Sequence, residues 1–335
     1  MNYLSSTLYI IGPLAVGALL ILLMVLGKRL GQALELPPYY KLYYVSIIFF
    51  LLPLPAAWVL LVTKAWGLPE PALTTGLIIK IAVASIPLTI AITFAVFATE
   101  RAYNQIRQSV AYTNLNVKIV ASHSGVTVGE DGASHHAIFD IALMRVLPNM
   151  VVEVPADGTE TAIATRAMAE HVGPVYMRTG RSAVPLIYEE GFKLRGTQLD
   201  FKLGKAVTLR EGSDVAIIAT GLMVTEALAA VDQLAAEGVK AKLIDMHTIK
   251  PLDMDAITKA AAECGAIVTA EEHSVLGGLG GAVAEACAKT RPVPIEMVGV
   301  KDTFTHSGSA GELLKEFGLT AKDIAEAAKK VRARK

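Results

Sequence analysis

The chain has 335 residues, with 31 basic and 31 acidic side chains, 27 glycines, two cysteines and 53% hydrophobic residues. Neutral charge excludes the basic excess of a nucleic-acid binder, and the composition excludes a collagen, a disulfide scaffold and a disordered polymer. A mean hydropathy of +0.47 is high for an ordinary globular chain, and the charge is unevenly spread. Residues 1–99 carry only Lys28, Arg29, Glu35, Lys41, Lys64, Glu70 and Lys80, a net of +3, so the remainder carries −3. All seven histidines, the side chains suited to proton chemistry near neutral pH, lie beyond residue 99.

In chain order, three uncharged apolar runs come first, at 9–27, 42–62 and 81–98. A helix needs about 20 apolar residues to cross a bilayer, so the runs predict two to three transmembrane helices within residues 1–98. A cleaved signal peptide fits poorly, because residues 1–8 hold no basic residue and no convincing cleavage site follows. The loop 28–41 carries three Lys/Arg and the N-terminus none, which places the N-terminus outside and that loop inside. With three spans, everything after residue 99 is cytoplasmic; with only two, it would be outside. The expected localisation is therefore a multi-pass membrane protein with a cytoplasmic globular part.

From residue 117, β-branched runs at 117–122, 151–155, 174–178, 214–220, 240–246, 266–270 and 295–300 alternate with amphipathic stretches at 159–171, 223–237, 253–264 and 278–289. This alternation predicts two mostly parallel α/β sandwich domains. The polar segment 188–204, with Gly191 and Gly196, reads as a linker between them. Cys264 and Cys287 fall on apolar helix faces and read as buried, reduced packing residues. No residue spacing suggests a metal site on this chain.

The densest polar cluster is His123-Ser124-Gly125-Val126-Thr127-Val128-Gly129-Glu130-Asp131-Gly132-Ala133-Ser134-His135-His136, directly after a predicted strand. Ligands of open α/β sheets bind beyond the carboxyl ends of strands. Two acids and three histidines there could serve proton transfer, metal ligation or polar recognition, or form a solvated turn. The run Gly277-Gly278-Leu279-Gly280-Gly281 opens a helix but lacks dinucleotide-binding spacing, so it is read as close helix–sheet packing.

Gly129-Glu130-Asp131-Gly132-Ala133-Ser134-His135 resembles the signature loop of transketolases in the thiamine-diphosphate superfamily. The flanking Thr93-Phe94-Ala95-Val96-Phe97-Ala98, Tyr103-Asn104-Gln105-Ile106-Arg107, Leu147-Pro148-Asn149, Val154-Pro155-Ala156-Asp157, Met177-Arg178 and Met246-His247-Thr248-Ile249-Lys250-Pro251-Leu252-Asp253 are similar as well. The resemblance runs from about residue 93 to the C-terminus and looks closest to the carboxy-terminal subunit of split transketolases. It implies two-carbon ketol transfer between sugar phosphates with thiamine diphosphate as electron sink. It also implies a residue set. Phe94 and Phe97 would pack against the aminopyrimidine, and His135 would aid proton transfer. Asp131, beside the second acid Glu130, would bind a substrate hydroxyl. His123 and Arg178 would meet the sugar phosphate. The implied domains are a membrane segment 1–92, a truncated pyrimidine-binding domain 93–190 and a dimer-forming C-terminal domain 205–335. The diphosphate, with its Mg²⁺, would be held by a separate N-terminal subunit.

The sequence departs from the family where the cofactor-activating glutamate is expected, because membrane-like sequence stands there and the neighbours of Glu70 do not match. Phe94 and Phe97 also cannot both line a pocket and lie in a spanning helix, so a third span implies an impaired site. Two other readings follow: a non-catalytic, membrane-anchored assembly protein, and a deoxyxylulose-phosphate synthase or dehydrogenase E1 β-like chain.

Overall fold

A computed structural model describes residues 92–95, 100 and 102–335. The first sheet contains β1 (Ile92–Ala95), β2 (Lys118–Ser122), β3 (Val151–Glu153) and β4 (Val175–Arg178), with helices α1 (Asp140–Val146) and α2 (Gly158–Glu170) in the connections. The second contains β5 (Val207–Arg210), β6 (Val215–Ala219) and β7 (Ala241–Asp245), with α3 (Met223–Ala236) between β6 and β7. After the short strand β8 (Thr248–Lys250) come α4 (Met254–Cys264), β9 (Ile267–Ser274), α5 (Leu279–Lys289), β10 (Ile295–Val300), α6 (Ala310–Glu316) and α7 (Ala321–Arg332).

Sheet order is β1-β2-β4-β3-β8 in the first sheet and β10-β9-β6-β7-β5 in the second. Within these two sheets every pairing is parallel except the edge pairs β8–β3 and β7–β5, and a separate two-stranded antiparallel hairpin joins Lys193–Leu194 to Thr197–Gln198. The chain is thus mixed α/β with parallel sheets. Val215–Ala219 is apolar throughout, and Ala241–Asp245 is equally buried although it carries Lys242 and Asp245, because a parallel sheet covered by helices has no solvent face. The strand β8 follows β7 in sequence but pairs with β3, so a strand from the C-terminal half completes the first sheet. Between the sheets, Tyr188 and Phe192 of the 188–204 segment are 1% exposed, and Phe201 stacks on His247 with ring centroids 4.3 Å apart. Strands β1, β5 and β8 and helices α1, α6 and α7 fall outside the elements expected from the sequence.

The membrane expectation is corrected here. Ile92–Ala95, inside the expected third span, is a strand in parallel register with β2, from Ile92 opposite Ile119 to Ala95 opposite Ser122. A short apolar run has no period that separates a buried strand from a spanning helix. Without that span, the multi-pass topology and the cytoplasmic placement derived from it lose their basis. Among the described residues no helix is long and apolar enough to cross a membrane. The runs at 9–27 and 42–62, and Phe97, lie outside the described residues. Cys264 and Cys287 are buried and unpaired.

Candidate active site

The carboxyl ends of β1, β2 and β4 lie along one edge of the first sheet, since their mutual pairings are parallel. Register brings Phe94 opposite Ala121 and Ala95 opposite Ser122, so β1 ends beside the start of the polar loop. His123 turns the chain out of β2 at φ +65°, with its Nδ1 2.9 Å from Ser122 Oγ. Residues 126–131 then form tight 3₁₀ turns broken at Gly129. Two glycines are dictated by space as well as backbone. A Cβ on Gly125 would stand 2.2–2.5 Å from the Glu272 carboxylate, and one on Gly132 would stand 2.5 Å from Ser307 Oγ.

This loop sorts its side chains by burial. His123, Glu130 and Asp131 are exposed and His135 is half-buried, its Nδ1 2.9 Å from Ser134 Oγ. His136 is 3% exposed instead. Burial pushes its pKa down, and the neutral ring donates from Nε2 to the Gly129 carbonyl at 2.9 Å while Nδ1 accepts from Thr305 Oγ1 at 2.8 Å. The loop therefore exposes two acids and two histidines and is braced from behind by a third histidine.

Arg178, expected at the sugar phosphate, is placed differently. It is 4% exposed, and its Nε donates to Asp140 Oδ2 at 2.9 Å. Nη2 donates to the carbonyls of Ala137 (3.2 Å) and Glu272 (2.8 Å). Tyr176 Oη donates to the same Asp140 oxygen at 2.7 Å. A buried guanidinium must be paired and hydrogen-bonded, and these groups do so. The cation on the exposed rim is Arg181, whose Nη1 donates to the Val128 carbonyl at 2.7 Å and lies 3.4 Å from Asp131 Oδ2. Beside it a cleft opens, lined by Thr127, Gly158, Thr179, Ser182 and Leu186 among others. Sequence reasoning missed Arg181, although it stands three residues after Arg178.

Strand β9 ends in Glu271, Glu272, His273 and Ser274, none more than 4% exposed. Glu271 accepts from the Leu279 and Gly280 amides at 2.7 Å each. The N-terminus of α5 is thus filled by a carboxylate of the chain itself, and the glycine run allows that close approach: a Cβ on Gly278 would meet Glu271 Oε2 at 2.0 Å. Burial pushes Glu271 and Glu272 each up to about 7, opposed in both cases by backbone amides and Arg178. His273 is pushed down to about 4 by burial and stays neutral, donating from Nδ1 to the Ser274 carbonyl. Consecutive carboxylates following the apolar start of a strand were the available signal for this region. Among the described residues no cluster of His, Cys, Asp and Glu could hold a metal ion.

An acid-bearing loop at the carboxyl edge of a parallel sheet, braced by a second α/β sheet, matches known architecture. Residues 76–186 match the transketolase pyrimidine-binding domain and residues 204–324 the transketolase C-terminal domain. The chain is 43% identical to a 6-deoxy-6-sulfo-D-fructose transketolase subunit of Clostridium sp. (strain MSTE9), over 72% of this chain and 73% of that one. It is 46% identical to a putative transketolase C-terminal section of Methanocaldococcus jannaschii, over 71% and 73% respectively. The solved structure described as a split gene transketolase, inactive beta4 tetramer, is 47% identical, with a TM-score of 0.66 and coverage of 72% of this chain and 75% of that one. The chain belongs to the transketolase family. The pyrimidine-domain match begins at residue 76, ahead of the point near residue 93 where the motif resemblance starts, and so takes in the whole of the third apolar run.

Proposed function

We propose that this chain is the C-terminal-type subunit of a split transketolase, acting with a separate N-terminal subunit and assembling with further copies of itself. Family membership implies thiamine diphosphate dependence. The backbone register suits that cofactor's pyrimidine half: the end of β1, where Phe94 stands, lies beside the start of the loop that carries the polar groups. The bound cofactor would supply the electron sink for breaking and forming the carbon–carbon bond, with its diphosphate and Mg²⁺ on the partner subunit.

The residues of this chain bind and move protons. Asp131 accepts from a hydroxyl of the sugar, with Glu130 beside it. His135, half-buried and oriented by Ser134, exchanges a proton with the substrate oxygen. His123 and Arg181 meet the terminal anion, while Arg178 holds the loop from inside. The observation that carries this reading is the sorting of the loop, with its candidate chemical groups turned outward and His136 locked inward. Residues 76–99 contain no carboxylate, so the activating acid has no counterpart there and transfer is expected to be slow.

The test is reconstitution of the full chain with an N-terminal transketolase subunit, thiamine diphosphate, Mg²⁺, a ketose-phosphate donor and an aldose-phosphate acceptor. Product above that made by either subunit alone supports the proposal. Assembly with the partner but no product would assign the chain a non-catalytic role.

A further inference from the structure

The 123–136 loop springs from the first sheet, yet many of the groups that hold it come from the second. At its start, the Thr127 amide donates to Glu272 Oε1 at 2.6 Å, and that carboxylate fills the space behind Gly125. In its middle, His136 binds Thr305 and Gly132 faces Ser307. At its end, the Ser274 amide donates to the Ile138 carbonyl at 2.9 Å. Arg178 Nη2 ties the Ala137 and Glu272 carbonyls together there. Glu272 thus acts twice, by its side chain where the loop begins and by its backbone where the loop closes. At 3% exposure it is out of reach of a substrate in solution, so any influence on the reaction passes through the loop.

We propose that Glu272 is a positioning residue of the transfer site: its carboxylate sets the loop geometry on which Asp131 and His135 depend. This makes the second sheet a working part of the site. The inference rests on reading the loop as the transfer site. Removing the acceptor leaves the buried Thr127 N–H without a partner, and the start of the loop shifts to find one. A displacement of about 1 Å at reacting groups costs on the order of 100-fold in rate.

In the reconstituted complex, E272A is expected to lower kcat by roughly 10- to 100-fold, whereas E272Q, which keeps an Oε1 acceptor, retains most of the wild-type rate. Hydrogen exchange followed by mass spectrometry on the full chain should show the peptide covering 125–136 exchanging faster in E272A and at the wild-type rate in E272Q. E272D, which keeps the charge but shortens the reach, should repeat the loss, and it replaces E272A if that variant does not fold. Wild-type turnover by E272A or E272D, or an E272Q loss as deep as that of E272A, overturns the proposal and leaves the transfer reading intact. Absence of transfer by the wild-type pair overturns the transfer reading, and this proposal with it.

Discussion

Glu153 makes the stability of this protein fall as pH rises. It lies on β3 in the interior of the first sheet, 1% exposed, and neither carboxylate oxygen has a hydrogen-bond partner among the described residues. Lys118, the opposing charge, donates from Nζ to the carbonyls of His171 and Gly173 at 2.9 and 2.7 Å. Burial therefore dominates and pushes the Glu153 carboxyl up to about 8, with Lys118 opposing. An unfolded glutamate titrates near about 4.3, so between these values the native state holds a proton that the unfolded chain has released. The contribution is fully present below about pH 4.3 and is lost as pH rises through about 8. Within that window it declines by about 1.4 kcal/mol per pH unit. Between pH 6 and pH 8, where native ionisation begins to compensate, the loss is about 2 kcal/mol. E153Q cannot titrate. The offset from burying an amide is independent of pH and cancels when the variant is compared with wild type at two pH values. Urea unfolding at pH 6 and pH 8 should therefore show the wild type losing about 2 kcal/mol more than E153Q. Asp245, Glu271 and Glu272, each pushed up to about 7 by burial, tilt both proteins in the same direction and leave the difference unchanged. Equal losses in the two proteins would refute the reasoning.

Three further outcomes are expected. D140N leaves the buried Arg178 guanidinium without its counter-charge, and calorimetry should show a loss of roughly 3–5 kcal/mol. H135A should reduce kcat of the reconstituted complex by about 10²–10⁴-fold with little change in thermal stability; a near-normal rate would remove His135 from proton transfer. R181A should raise KM for a phosphorylated donor and leave KM for its unphosphorylated analogue unchanged, and an equal effect on both would assign Arg181 to holding Val128 alone.

The legible parts of this fold were those with local causes. Strands β2, β4, β6 and β7 could be read because apolar residues make up most of each, and α4 because Asp253 caps it through the Ala256 amide and Gly265 ends it in the left-handed region. The polar loop was legible from its residue types and family resemblance. β1 was misread for the same reason that β6 was read well, since continuous apolar sequence carries no mark of the medium that will cover it. β5 and β8 were missed because they are antiparallel edge strands of four and three residues. Arg178 was expected at the sugar phosphate because guanidinium geometry suits phosphate, whereas its Nε donates to Asp140, on a helix 38 positions away, in the interior.

Sequence alone determined the α/β character, the two-part globular organisation and the polar loop after β2, because hydrophobic period, caps and residue chemistry act over a few positions. Tertiary structure alone decided which of two arginines reaches solvent, which histidine stays neutral inside, and that a carboxylate from the second sheet holds the loop of the first. Those outcomes depend on burial and pairing between residues as far apart as Thr127 and Glu272, separated by 145 positions, and a buried charge or amide is satisfied only by what the fold brings to it.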